Sequence, residues 1–264
     1  MKNAAVICLL GLSLGLFAQD AIPAGTILPV QLNSSLRSDK ARPGQLIRAR
    51  VMQDVPLAGH ARIHAGATVI GQVVAVRPAT NGGSAEISLR FDTLATRTQH
   101  IPVITNLRAL ATMMDVSDAQ VPESGPDHGT SEYSWTTDQI GGEVDYRGGG
   151  AIVHAAEIVG HSVPDGVLVR ASSKPGTKCR DEVDGNDLPQ ALWVFPSDAC
   201  GLYDLPDITL AHAGRTLPLG EITLQSNKGN VNIRRGSGML LRVNGTTPRL
   251  RTLYIVWRYV ASII

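Results

Sequence analysis

The residues best suited to chemistry are acidic and lie close together in Cys179-Arg-Asp-Glu-Val-Asp-Gly-Asn-Asp. Calcium takes roughly six to eight oxygen ligands, and Asp181, Asp184, Asn186 and Asp187 around Gly185 could supply part of such a shell. Twelve-residue windows opened at Asp181 or Asp184 close on Leu192 or Phe195, not on the glutamate that a helix-loop-helix calcium site needs. A solvated acidic turn is therefore the favoured reading, and no metal or cofactor is expected. A pair of carboxylates for glycoside hydrolysis could be drawn from this cluster with Glu143 or Asp145, but nothing in the sequence fixes their separation.

The histidines are less promising. His60 and His64 are four apart beside Asp54, in a segment broken by Gly59 and Gly66 that reads as a turn into a strand. On a strand such residues stand about 13 Å apart, too far to share an ion, so both are expected at the surface. His128, His154, His161 and His212 are scattered, and none stands beside a Ser or Cys in a nucleophile motif. Gly-x-Ser-x-Gly, His-Glu-x-x-His, the phosphate-binding loop and Gly-x-Gly-x-x-Gly are all absent. Gly236-Ser237-Gly238 fits the start of a strand. No catalytic residue is assigned, and a hydrolase is the least favoured function.

Cysteine usage depends on the compartment. Residues 1–20 carry Lys2, an apolar run of about 14 residues from Ala4 to Phe17, then Ala18 before Gln19 and Asp20. This is the pattern of a cleavable export signal ending at Ala18, and the run is short of the roughly 20 residues that span a bilayer. Cys8 would leave with it. Cys179 and Cys200 remain, and in an oxidising compartment they are expected to pair. Closing a loop of about 22 residues would contribute about 3 kcal/mol in the chain-entropy description. The expected location is the periplasm, the cell envelope or the exterior.

Composition narrows the partners. A formal charge of +1 and 4% aromatic residues give neither the electrostatic footprint nor the stacking surface of a nucleic-acid binder. With 43% hydrophobic and 18% charged residues the chain is that of a globular protein with a substantial core.

The elements must be strands. Ile27, Val30 and Leu32, then Leu46 to Val51, Val69 to Val76, and Ile87, Leu89 and Phe91 form apolar runs of strand character, punctuated by Pro23, Gly25, Pro43, Gly44, Gly59, Gly66 and Asn81-Gly82-Gly83. This predicts an all-β fold, an antiparallel barrel or sandwich with Gly/Pro-rich turns and one long irregular region. Residues 19–114 form a first β segment, 115–150 a Gly/Pro-rich loop or linker and 151–247 a second β segment that shares the barrel. Strands are expected at Val163 to Ala171, Ala191 to Phe195, Ile208 to Leu210, Glu221 to Leu224, Val231 to Ile233 and Met239 to Val243. Trp193 and Phe195 would share one face of such a strand. No segment carries a helical stripe.

One turn recurs. Ile22-Pro-Ala-Gly-Thr, Ile63-His-Ala-Gly-Ala and Ile233-Arg-Arg-Gly-Ser each place an apolar residue three before a glycine that leads into a strand. Val163-Pro-Asp-Gly166 and Ala211-His-Ala-Gly214 are looser copies. Pro23 with Gly25, and Pro164 with Gly166, suit a type I turn.

The run from Ile22 to Val76, with its I-P-x-G-T turn, Pro43-Gly44-Gln45 and second I-x-x-G turn at Ile63, resembles the barrel domain of the TrbI-like scaffold subunits of conjugal-transfer and type IV secretion channels. The turn at Ile233 resembles the one that closes that domain. The resemblance covers about a third of the chain. It implies a β-barrel in the cell envelope, although the family's membrane-spanning helix, Pro-rich stretch and helical projection have no counterpart here.

The C-terminal residues 248–264 combine Arg249 and Arg251 with an apolar run of about 13 residues interrupted by Arg258. A last strand or docking tail is expected there, with membrane contact as the second choice. Together these features lead us to expect an exported interaction or scaffold module, engaging an envelope protein or further copies of itself. The alternative is a secreted carbohydrate- or calcium-binding protein.

Overall fold

A computed structural model describes residues 22–121, 136–146, 150–154, 156–171 and 188–245. The leader with Ala18, Cys179, the acidic residues Asp181, Asp184, Asn186 and Asp187, and the tail 248–264 lie outside the described residues.

The chain first forms β1 (Ile27–Leu32), β2 (Leu36–Arg37), β3 (Leu46–Val51), β4 (Val55–Pro56), β5 (Arg62–Ile63), β6 (Thr68–Arg77), β7 (Ala85–Ala95), β8 (His100–Pro102) and β9 (Ile104–Ala111). A single α-helix, α1 (Met113–Gln120), follows among the described residues, besides a short 3-10 turn at Ala58–His60. Next come β10 (Thr136–Asp138), β11 (Val144–Tyr146), β12 (Ala151–His154), β13 (Glu157–Val163), β14 (Gly166–Val169) and β15 (Gln190–Ala191). The last elements are β16 (Gly201–Tyr203), β17 (Ile208–His212), β18 (Glu221–Ser226), β19 (Asn232–Ile233) and β20 (Gly238–Gly245).

The period-two pattern makes these strands. In β3, Ile47, Ala49 and Val51 point inward while Leu46, Arg48 and Arg50 face water. The main sheet runs β16-β9-β20-β1-β3-β6-β7-β18-β17, with β8 beside β7. Its strand pairs are antiparallel except β16 with β9. The sheet curls into a nearly closed barrel: Leu107 of β9 donates its N–H to the carbonyl of Ala213, just past β17, at 2.8 Å. Leu28, Val30, Ile47, Leu89, Phe91 and Leu241 belong to the core inside it.

Four equivalent glycine turns organise the barrel. Gly25, Gly44, Gly66 and Gly236 have φ of 90°, 81°, 88° and 91°. Each is the third residue of a turn closed by Thr26 to Pro23, Gln45 to Arg42, Ala67 to His64 and Ser237 to Arg234, at 3.0–3.2 Å. A positive φ at the third position is the type II arrangement, which glycine adopts without a steric penalty. The type I turn expected from Pro23 is thus replaced by a type II turn one residue further on. Each glycine N–H also bonds a neighbouring strand: Gly25 to Val243 and Gly236 to Leu32, Gly66 to Val51 and Gly44 to Val73. The turns therefore anchor β1 with β20, and β3 with β6, reciprocally at both ends. The looser copies differ. Pro164-Asp165 closes the β13–β14 hairpin with Asp165 at φ 65°, and Gly214 lies in a loop before Gly220.

Within the region expected to be a loop, 115–150, the chain instead forms most of α1 and the start of a second sheet, β10-β11-β12-β13-β14-β15. Thr112 caps α1 by accepting from Asp115 N–H at 3.2 Å, and Asp115 accepts in return from Thr112 N–H. Only Val116 and Ala119 of this helix are buried, which explains why its sequence shows no stripe.

The second sheet packs on the outside of the barrel wall. Ile27, Ala109, Ala111 and Leu240 of the wall form one core with Ile152, Val167, Trp193 and Phe195. Small residues make the approach possible. A Cβ on Gly238 would meet Val116 at 2.8 Å and the Trp193 and Phe195 rings at 3.2 and 3.3 Å. Trp193 and Phe195 are buried, but not on a strand: β15 ends at Ala191, and Trp193 has φ 55°. Two glutamines fasten the sheet. Gln190 Oε1 accepts from Ile27 N–H at 3.1 Å, while buried Gln53 donates to Val167 O at 2.8 Å and accepts from Trp193 N–H.

Candidate functional site

Where the second sheet meets the barrel, three titratable side chains converge. Glu143 follows the tight β10–β11 turn, in which Gly141 and Gly142 have φ of 97° and 112° and Gly142 N–H bonds Gln139 O at 3.0 Å. These two glycines give the chain the reversal that tucks Glu143 inward. His154 ends β12, opposite Glu157 of β13. Ser197 and Asp198 lie in the loop between β15 and β16, whose backbone turns through an Ala199 N–H to Pro196 O bond of 3.0 Å.

That loop is fixed from below. Arg108 of β9 is fully buried, and its Nε donates to Ala199 O at 2.9 Å and its Nη2 to Ser197 O at 3.4 Å. Cys200 N–H donates to the Tyr203 hydroxyl at 3.2 Å, and the Tyr203 ring stands edge-on to Phe195 with centroids 6.2 Å apart.

The Glu143 carboxylate has no solvent exposure. Ser197 N–H donates to its two oxygens at 3.1 and 3.0 Å, and the Ser197 hydroxyl donates to Oε1 at 2.5 Å. His154 Nδ1 is 3.3 Å from Oε1, and His154 Nε2 is 4.0 Å from Asp198 Oδ2. Burial pushes the Glu143 pKa up from its ordinary value; the Ser197 bonds and His154 oppose the shift, and Asp198 adds to it. Burial likewise raises the Tyr203 phenol. The Ser197 hydroxyl is bonded to a carboxylate, so the arrangement lacks the serine-to-imidazole bond of a nucleophilic triad. Two carboxylates facing one imidazole can share a proton or converge on a cation.

The residues singled out in the sequence fall differently. Glu143, considered for hydrolysis, is in this cluster, and His154 joins it although its neighbours in sequence gave no sign. Glu143, His154 and Asp198 are 11 and 44 residues apart, so only the sheet order and the loop before β16 bring them together. The Gly141-Gly142 pair was the one local signal. His60 and His64 are exposed, and His64 Nδ1 lies 3.5 Å from Asp54. His212 is tied to the Glu221 carbonyl and the Thr216 hydroxyl at 2.5 and 3.0 Å. Cys200 is buried against the barrel; its expected partner Cys179 lies outside the described residues.

When the chain is compared with known proteins, no family model matches it and no curated protein proves significantly similar.

Proposed function

We propose that this protein is an exported scaffold module of the cell envelope, a β-barrel platform that engages other envelope proteins or further copies of itself. The observation that carries this reading is the set of four reciprocal glycine turns. They coincide with the motifs that resemble TrbI-like scaffold subunits: Ile22 to Thr26, Pro43 to Gln45, Ile63 to Ala67 and the turn after Ile233. Short motifs far apart in sequence thus have one structural role each in a single barrel. The barrel carries the docked sheet β10–β15 as an outgrowth with its own edges. A sheet edge presents unpaired backbone donors and acceptors that a partner can use.

Export is part of the reading, supported by the apolar leader ending at Ala18. So is the Cys179–Cys200 disulfide, supported by a Cys200 sulfur that is not a free thiol. Fractionation of the native cell with N-terminal sequencing tests both. The expected chain begins at Gln19, is found in the envelope fraction, and shows free thiols only after reduction. A full-length chain in the cytoplasm with its leader intact would overturn the proposal.

A further inference from the structure

Glu143 poses a problem of charge. Its carboxylate is enclosed, and among the described residues the only basic side chain paired with it is His154 at 3.3 Å. A buried carboxylate is costly unless it is neutralised, paired with a cation or bound to a metal. One ligand atom each from Glu143, His154 and Asp198 lie within 4.8 Å of one another. Ligands about 2.0–2.2 Å from a tetrahedral ion are separated by roughly 3.3–3.6 Å. The Glu143 Oε1–His154 Nδ1 distance of 3.3 Å meets that spacing. Asp198 Oδ2 stands nearest the other ring nitrogen, Nε2, at 4.0 Å, so an ion held at Nδ1 requires the half-exposed Asp198 or the imidazole to turn toward it.

We infer that Glu143, His154 and Asp198 bind a divalent transition-metal cation of the zinc class, with a fourth position open to solvent. The imidazole decides the class: calcium and magnesium prefer all-oxygen shells, whereas zinc takes nitrogen and carboxylate together. The side chains of His154 and Asp198 are each 41% exposed, so the ion has a path in, with Glu143 as the floor. Supporting groups are in place. Ser197 orients the Glu143 oxygens, and Arg108 holds the loop that carries Asp198. The bound ion would tie the β10–β11 turn and the end of β12 to the segment entering β16, and so lock the outer sheet to the barrel. This inference does not depend on the scaffold reading, since it concerns a ligand and not the compartment or partner.

The test is calorimetric titration of zinc, and separately of calcium, into the mature chain, untagged and stripped with a chelator. Circular dichroism establishes that each variant is folded. One zinc is expected to bind per chain and raise the melting temperature, with no comparable effect of calcium. His154→Ala and Asp198→Asn, both at partly exposed positions, should weaken binding by at least roughly tenfold. A combined Asp181→Asn, Asp184→Asn and Asp187→Asn variant should bind as the parent does. Cobalt in place of zinc should give visible d–d bands without thiolate charge transfer. The inference is overturned if the folded parent binds no zinc, if both single variants bind as tightly as it does, if the acidic-loop variant loses binding, or if a thiolate band appears.

Discussion

Gln53 is one of the few polar side chains placed where the barrel and the outer sheet touch, and it satisfies a donor and an acceptor there at once. Gln53→Ala leaves Trp193 N–H buried and unpaired, while Val167 O keeps its bond from Leu192 N–H at 3.3 Å, at a cost of about 1–3 kcal/mol in denaturant unfolding. Gly66 illustrates a different constraint. A Cβ would meet nothing within 4 Å, yet φ is 88°, so the expected loss of about 1–2 kcal/mol for Gly66→Ala is conformational. The same turn is held by Asp54, whose Oδ1 accepts from Ala65 N–H at 2.9 Å. That bond, assisted by Arg62 and His64, holds the Asp54 pKa below 3.8. Its contribution is therefore complete above the ordinary aspartate value and is lost as pH falls through the folded one. Because the side chain is 43% exposed, screening keeps the effect to about 0.5 kcal/mol. Acid titration of stability in the parent and Asp54→Asn should differ by that amount above pH 4 and converge in stronger acid.

At the scale of elements, what could be read from sequence was whatever repeated. Ile47-Arg-Ala-Arg-Val and Ile87-Ser-Leu-Arg-Phe announce half-buried strands because burial on one side of a sheet has period two. Helix α1 gave no such signal, since two buried residues in eight make no stripe; only Thr112 and Asp115 mark it, as a capping pair. The segment after Ala191 misled for the opposite reason. Its aromatics are spaced as on a strand, but they are held by a turn with Trp193 at positive φ and a backbone bond to Gln53. Trp193 fills the space over Gly238, so Trp193→Ala should cost about 3–5 kcal/mol and loosen the outer sheet before the barrel melts. Limited proteolysis checks this: early cleavage should move into residues 136–171, while β1 to β9 stay protected.

For the whole molecule, the barrel was legible because its glycine turns and strands are local features. The cluster around Glu143 was not. Its members come from a hairpin turn, a strand end and a loop, and the contacts depend on how one sheet docks on another. Arg108 shows the same limit, since nothing near it in sequence marks a cation fully buried under a loop. Barrel and outer sheet make one support with two buried cores, one inside the barrel and one between its wall and the outer sheet.

The central claim is that this support belongs to an envelope assembly. The most direct measurement is cross-linking in the native cell, purification of the mature chain from the envelope fraction, and mass spectrometry of what comes with it. The account predicts a reproducible complex larger than one chain, made of envelope proteins or further copies of this one. A chain recovered alone, monomeric and from a soluble fraction, would contradict it.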